Sequence, residues 1–432
     1  MGELTDRLTR HFTARRARGN AASGPAPRVV VFSARVGAGH DAVADELAAR
    51  LREAGVEVDR QDFLDALPGP LARVFLDSYR RMLSSAPWSW TALYAALDRR
   101  SMVNGQARLF TALAGRAMRR RVPPGTAVAV ATYPLAAQVL GRLRGSGRLR
   151  TPAVTYLTDF SVHRLWVAEG VDRHLAVHPV PGAEAVAEGA AGVCVVSPVV
   201  DRRFVPVTPR TRAAARVRWG LPAEGRLALL VGGSWGAGEL ERTVADIEAT
   251  GTGTTCVVVC GRNEDLRERL LAAGVRHVHG WVDDMPGLMH AADVLVQNAG
   301  GISVLEAVAS GLPVITYRSI PGHGLTNSAA LETAGIARWV RGPGGLAEAL
   351  EEAFLASATE GARPGAALAG ADPVAAVLAA AGIAPETGAG VPAAAPPGRL
   401  VPAPSGRGRT AWAGRPRRTD RASALAAGEG TR

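Results

Sequence analysis

The chain contains no lysine; all 50 of its basic residues are arginine. That bias reads as mutational, of the kind a GC-rich genome imposes, and not as a functional signal. Cysteine is scarce too, with three residues in 432. Cys256 and Cys260 lie in the apolar run TCVVVC and Cys194 in GVCVV. Buried free thiols in a reducing compartment are therefore expected, and a disulfide framework is excluded. No group of histidines and cysteines has the spacing of metal ligands, so no metal site is expected. No apolar run approaches the roughly 20 residues of a membrane-spanning helix. The first residues are polar and Arg-rich, without the continuous apolar stretch of a signal peptide. The expectation is a protein that is soluble or lies on a membrane surface.

The formal net charge is +11, and its placement matters more than its size. Residues 1–28 hold six Arg against Glu3 and Asp6, and residues 383–432 hold eight Arg against Glu386, Asp420 and Glu429. Within the body, residues 70–122 hold ten Arg against Asp77 and Asp98. One basic segment and two basic tails are not the general basic face of a nucleic-acid binder, so no nucleic-acid partner is expected.

At this length two domains are expected. RVVVFSA reads as a strand and DAVADELAARLREAG as an amphipathic helix. VEVDRQDF, TAVAVATY, AVTYLTDF, RHLAVH and GVCVVS read as further strands. Apolar strands separated by helices predict a parallel sheet covered on both faces. The pattern breaks over Pro198–Arg212 and restarts at LALLVGGSWGAGELERTVADI. The fold class expected is α/β, with two doubly wound Rossmann-like domains at 28–203 and 204–382. The basic N-terminus 1–27 and the Pro-, Ala-, Gly- and Arg-rich tail 383–432 are expected to be disordered.

Residues 70–122 depart from this rhythm. The segment reads as long, helical and basic, with Trp88, Trp90, Tyr94 and Phe110 among the arginines. Arg and Trp on amphipathic helices suit an anionic lipid surface. A helical insertion that packs its apolar stripe inward accounts for the same pattern. Arg80, Arg81, Trp88 and Trp90 are the candidate membrane contacts.

Three strand-to-helix turns are built on glycine. In Gly37-Ala38-Gly39-His40 a histidine, followed by Asp41, stands where a dinucleotide loop wants its third glycine. That disfavours a Rossmann dehydrogenase. The loop either holds a phosphate or presents a reacting group. Gly232-Gly233-Ser234 and Asn298-Ala299-Gly300-Gly301 end two strands of the second half. Glycines there let backbone N–H groups approach a diphosphate with a helix dipole behind them; plain tight turns are the alternative. Glu306, one turn into the following helix, either accepts two hydrogen bonds from a ribose diol or supports the helix N-terminus. Two such loops predict a crevice at the top of a parallel sheet. No acidic D-x-D pair stands in a convincing site, and Asp283-Asp284 reads as a turn.

VGGSWGAG, VVVCGRNEDLRERL, HGWVDDMPGLMHAADVLVQNAGGISVLEAVASGLPVI and PGHGLTNSAALETAG, in that order, resemble the C-terminal domain of a GT-B glycosyltransferase. The group is that of monogalactosyldiacylglycerol synthases and processive diacylglycerol glucosyltransferases. The peptidoglycan lipid-II N-acetylglucosaminyltransferase is a more distant relative. SARVGAGHDAVADEL is similar to the group's Ser-x-x-x-Gly-x-Gly-His loop. LTDFSVHRLWV is similar to its Thr-Asp-Phe…His…Trp segment, and VVSPVVDRRF to its strand before the second domain. The resemblance covers roughly residues 29–345.

The resemblance implies two domains facing across a cleft. The first meets the membrane and the acceptor; the second binds a nucleotide sugar. It implies a UDP-sugar co-substrate, no cofactor and no metal. Gly233, Ser234, Gly300, Gly301 and Ile302 would meet the diphosphate, Glu306 the ribose, and the backbone around Val282 the uracil. His323 and Asn327 would stand at the sugar. Gly37 and Gly39 would bring the first domain's backbone to the reacting centre. His40 would be the base for an acceptor hydroxyl, or assist the departing diphosphate. Asp159 is the competing base. A helix-capping His40 and a structural Asp159 are the plainer alternatives. Where the group often carries Gln-Glu, this chain has His323-Gly324. Where a lysine is common, it has Gln297 or Asn298.

The activity implied is transfer of a hexose or N-acetylhexosamine to a lipid hydroxyl, diacylglycerol first. The place implied is the cytoplasmic face of a bacterial cell membrane, held peripherally on anionic lipid. Three rivals remain: a transferase acting on a soluble small molecule, a nucleotide-sugar epimerase on the same fold, and a degenerate homologue that binds without turnover. His323-Gly324 keeps the last one open.

Overall fold

The computed structural model describes residues 26–85, 112–358 and 368–383. β1 (Arg28–Ser33) is buried from Val29 onward, as an apolar strand covered on both faces must be. The first sheet has the order β2-β1-β3-β4-β5-β6. Its other strands are β2 (Glu57–Asp62), β3 (Thr126–Ala131), β4 (Ala153–Tyr156), β5 (Arg173–Ala176) and β6 (Val193–Val195). β2 has no fully buried residue, as suits its place at the edge. The second sheet has the order β12-β11-β10-β7-β8-β9. It is built from β7 (Arg226–Val231), β8 (Thr254–Val259), β9 (His277–His279), β10 (Val294–Gln297), β11 (Val314–Tyr317) and β12 (Arg338–Val340). All pairings in both sheets are parallel. These are the two doubly wound, Rossmann-like domains that the strand–helix alternation predicts.

Each sheet has one topological switch point. The chain leaves β1 toward β2 and returns on the other side at β3; it leaves β7 toward β8 and β9 and returns at β10. Loops that follow the two strands at such a point part toward opposite faces and leave a crevice at the strands' carboxyl ends. The three glycine turns follow β1, β7 and β10, so all of them stand at switch points.

Six helices bear on the site and its support. α1 (Ala38–Glu53) buries Val43, Ala44, Leu47, Ala48 and Leu51, an i, i+4 stripe against the first sheet. α2 (Gly69–Ser85) lies in the basic segment. α3 (Pro134–Gly145) begins with proline, whose missing N–H is no loss in a first turn. α4 (Ile302–Ala309) and α5 (His323–Thr333) belong to the second domain. α6 is Pro373–Ala379.

α6 corrects the boundary read at residue 382. Ala371 forms a parallel bridge with Val196, beyond the end of β6. α6 then packs on α1 and β3, burying Pro373, Val374, Ala376, Val377 and Leu378. The chain therefore returns to the first domain after completing the second. The stripe in PVAAVLA needs an apolar surface, but nothing in its local pattern tells which domain supplies it.

Cys256 and Cys260 are buried free thiols, pushed up to about 12 and about 11 by burial, and Cys194 is a half-buried free thiol. The expected disorder of the two tails, and the membrane contacts Trp88 and Trp90, lie outside the described residues. So does the side chain of Arg80; Arg81 is exposed on α2.

Candidate functional site

Two helix N-termini meet in the crevice. α1 has Gly37 at its N-cap and α4 has Gly301, and neither has a side-chain cap. A Cβ on Gly39 would stand 3.2 Å from Cγ2 of Ile302, the first residue of α4. The close approach that Gly39 permits is thus to the second domain's helix. Ala38 N–H donates across the cleft to Ser234 Oγ at 3.0 Å, satisfying one of the orphan donors of α1. Trp235 Nε1 donates to the carbonyl of Val36 at 3.1 Å. Two uncapped first turns put partial positive charge from both domains into one place, which suits an anion.

The glycine turns are held rigidly. Gly233 has φ +68 and Gly300 φ +74, conformations that favour glycine. A Cβ on Gly300 would come within 2.5 Å of the Asn327 side chain. Gln297 Oε1 accepts the N–H groups of Ala299 and Gly300 at 2.8 and 2.5 Å. Asn298 Nδ2 donates to the carbonyl of Ala237 at 2.8 Å, tying the turn after β10 to the turn after β7. Gln297 and Asn298 thus brace the loops from within; both are buried.

His40 is the third residue of α1. Its Nδ1 lies 2.9 Å from the carbonyl oxygen of Thr132, just past β3, and 3.0 Å from Thr158 Oγ1, just past β4. A carbonyl only accepts, so Nδ1 carries a proton, and in the neutral imidazole the lone pair is on Nε2. Tyr133 packs edge-on at 5.3 Å between centroids and Trp166 at 6.0 Å. The imidazole is therefore fixed in orientation, and no hydrogen bond to Nε2 is made among the described residues. Asp41 faces away from this chemistry. It bonds Ser33 and the Arg60 guanidinium and so supports the start of α1.

Asp159 accepts from Trp166 Nε1 at 3.0 Å. Its charge is felt by His163 and by His323 of α5, so residues of both domains share this part of the cleft. Burial pushes His163 down to about 4; Asp159 opposes that, while His323 and His40 add to it. Burial also holds His323 below the usual imidazole range, with Asp159 opposing and His40 adding. Beside His323, a Cβ on Gly324 would meet Ile320 Cγ1 at 2.6 Å and the Asn298 carbonyl oxygen at 2.8 Å. The missing side chain in His323-Gly324 is a consequence of close packing. Asn327 accepts the N–H of Ser161 of the first domain at 2.7 Å and donates to the carbonyl of Ala299 at 3.0 Å.

Glu306 lines a cavity of about 290 Å³ between the domains, with Asp45, Glu46, Val199, Asp201 and Ile302. Asp45, Glu46 and Asp201 pair with Arg60, Arg50 and Arg203. The Glu306 carboxyl has no hydrogen-bond or ion-pair partner among the described residues. Burial pushes it up to about 7, and the charge of Asp201 adds to the shift. Val282 packs its side chain onto the core. Next to it, Trp281 stacks under the Arg262 guanidinium at 4.2 Å, with Trp235 at 5.9 Å on the same cation. Asp283 accepts from Trp281 Nε1, and Asp284 caps a helix through the N–H of Gly287. Among the described residues no group of three or more His, Cys, Asp or Glu side chains could hold a metal ion.

The site residues not singled out in the sequence are Thr132, Trp235 and Arg262, whereas Thr158 and His163 are the Thr and His of the segment LTDFSVHRLWV. Each stands in or just past a loop after a strand. That position is the signal that could have found them.

Residues 40–193 match the family model described as monogalactosyldiacylglycerol (MGDG) synthase. Residues 233–355 match the model described as glycosyl transferases group 1. A processive diacylglycerol beta-glucosyltransferase of Bacillus pumilus (strain SAFR-032) is 25% identical over 217 residues, 49% of this chain and 56% of that one. The match spans little more than half of that relative's length. One of the same name from Bacillus cereus (strain B4264) is 23% identical over 344 residues, 73% of this chain and 82% of that one. The crystal structure of the glycotransferase of kitacinnamycin shares the fold, with a TM-score of 0.50, 16% identity, and coverage of 83% of this chain and 96% of that one.

Proposed function

We propose that this chain, a GT-B glycosyltransferase of the monogalactosyldiacylglycerol synthase and processive diacylglycerol glucosyltransferase group, moves a hexose or N-acetylhexosamine from a UDP-sugar to the hydroxyl of diacylglycerol. The observation that carries the reading is the meeting of the N-termini of α1 and α4, each with a glycine at its N-cap, beside His40, whose Nδ1 is held by the Thr132 carbonyl. The diphosphate lies at these helix ends and against the turn after β7. Glu306 accepts the ribose diol, and the uracil meets the backbone around Val282. The acceptor hydroxyl approaches from the first domain.

In the transfer, the bond from the anomeric carbon to the β-phosphate oxygen breaks and a bond to the lipid oxygen forms. The hydroxyl proton passes to His40 Nε2, and UDP leaves with its charge held by backbone N–H groups. Asp159 holds Trp166 against the base and keeps a negative charge near the developing imidazolium.

No helix among the described residues is long and apolar enough to cross a membrane. A lipid acceptor then requires attachment at the surface, which the arginines of residues 70–122 supply. The test is incubation with diacylglycerol vesicles containing anionic lipid and a panel of UDP-sugars, with mass spectrometry of the lipid extract. A new hexosyl or N-acetylhexosaminyl lipid supports the proposal and identifies the sugar. Product only on a polar acceptor overturns the lipid reading.

A further inference from the structure

Two neighbouring N–H groups, those of Ser161 and Val162, are held by side chains of opposite domains. Ser161 N–H donates to Asn327 Oδ1 of α5 at 2.7 Å, and Val162 N–H donates to Glu184 Oε2 at 2.7 Å. The Ser161 hydroxyl adds a second tie to α5, at 2.8 Å from Thr326 Oγ1. Glu184 belongs to the first domain, on the helix Pro179–Ala187. That helix packs against α5, and the ring of its N-cap His178 lies 6.0 Å from that of the buried Phe160. The segment after β4 is therefore stretched between two anchors, one in each domain.

Glu184 is an unexpected residue in this place. Its carboxylate is half-buried, pairs with no cation among the described residues, and takes its one hydrogen bond there from Val162. Burial pushes the carboxyl up, the Val162 N–H opposes that, and the charge of Glu188 adds to it. An ion in such surroundings carries a desolvation cost, which a hydrogen bond from a backbone N–H offsets.

What this bond fixes is the segment that carries Thr158 and Asp159. Thr158 Oγ1 lies 3.0 Å from His40 Nδ1, and Asp159 accepts from Trp166 Nε1 at 3.0 Å. The far half of the loop has a separate hold: Gln138 Nε2 of α3 donates to the carbonyls of Leu165 and Val167, on either side of Trp166, at 2.9 and 3.0 Å. The near half depends on Glu184 within its own domain. Without that anchor it follows Asn327, and Asp159 shifts against a Trp166 that stays in place.

We infer that Glu184 is a positioning residue, which through the Val162 N–H sets the place of Thr158 and Asp159 beside His40 and the reach of Ser161 toward Asn327. It touches no substrate. Its effect on turnover rests on the transfer reaction proposed above; its effect on the loop does not.

The full chain is compared with Glu184→Ala, Glu184→Gln and Glu188→Ala in two assays. The first is amide hydrogen exchange without substrate, read by mass spectrometry on peptides covering residues 157–166. Glu184→Ala speeds exchange there by about tenfold or more, the scale of a lost hydrogen bond to a charged group. Glu184→Gln keeps an accepting Oε1 and stays within about threefold of the parent. Glu188→Ala, which removes equal charge from the exposed end of the same helix, matches the parent. In the second assay, glycolipid formation, Glu184→Ala lowers kcat by about tenfold or more, the scale of a misplaced catalytic group. KM for the UDP-sugar stays within about twofold, since the glycine turns are untouched, and Glu184→Gln retains kcat within about threefold. Circular dichroism checks that each variant folds. Unchanged exchange in Glu184→Ala overturns the anchor. Faster exchange with unchanged kcat, a Gln variant no better than the Ala variant, or kcat and KM that worsen together overturns the positioning role. A parent inactive with every donor contradicts the proposed function and not the anchor, which the exchange measurement decides.

Discussion

Asn327 and Ser161 are joined across the cleft, with the asparagine Oδ1 accepting the serine N–H at 2.7 Å. The other end of the same amide holds the carbonyl of Ala299 at 3.0 Å. Asn327 is fully buried, so Asn327→Ala leaves a buried N–H and a half-buried C=O without this partner. That costs about 2–4 kcal/mol. Urea unfolding reads it as a lower midpoint; an unchanged midpoint would show that the pair does not hold the domains together.

Gly324 is fixed by its neighbours. Gly324→Ala places a methyl group against the backbone oxygen of Asn298, which cannot move without shifting the turn after β10. Overpacking of this kind costs about 1–3 kcal/mol. The expected result is a fall in melting temperature together with weaker UDP binding, measured on one preparation. A variant that melts and binds UDP like the parent contradicts the close packing.

Glu306 gives a pH dependence with a definite sign. Its carboxyl is raised from 4.5 to about 7 in the folded chain. Between those two values the folded state holds a proton that the unfolded state has lost, so stability falls as pH rises through the window. The difference amounts to about 3 kcal/mol above pH 7. Glu306→Gln removes it: the variant matches the parent near pH 4 and is the more stable at pH 8. Urea unfolding at the two pH values checks this, and a variant less stable at pH 8 reverses the sign.

The same substitution acts on the donor. A ribose diol bonded to an ionised Glu306 makes UDP binding release a proton between pH 6 and 7. Glu306→Gln weakens UDP by roughly ten- to a hundredfold, since hydrogen bonds to a charged group are lost. Calorimetry in two buffers of different ionisation enthalpy measures the proton. No proton release and no loss of affinity would remove Glu306 from the ribose.

What was legible in the sequence was local. Apolar runs such as VVVF and TCVVVC gave the buried strands, and the glycine turns marked the strand ends where the crevice lies. Two features were not legible, because both depend on partners distant in the chain. Ser234 meets Ala38, and Ser161 meets Asn327, through contacts set by the docking of two sheets. α6 returns to α1 because its short apolar face fits there. The orientation of His40 also depends on the Thr132 carbonyl, a partner 92 residues away in the chain. Gly39 reads as a close approach in either setting; only the structure shows that Ile302 is what it approaches.

The chemistry at the cleft is tested most directly by a paired measurement on His40→Ala: UDP affinity by calorimetry, and glycolipid formed from diacylglycerol vesicles by mass spectrometry. UDP binding is expected within about threefold of the parent, and product formation lower by roughly a hundredfold or more, the scale of a lost general base. A variant that forms product at the parent's rate, or that loses UDP binding along with activity, contradicts the role given to His40 Nε2.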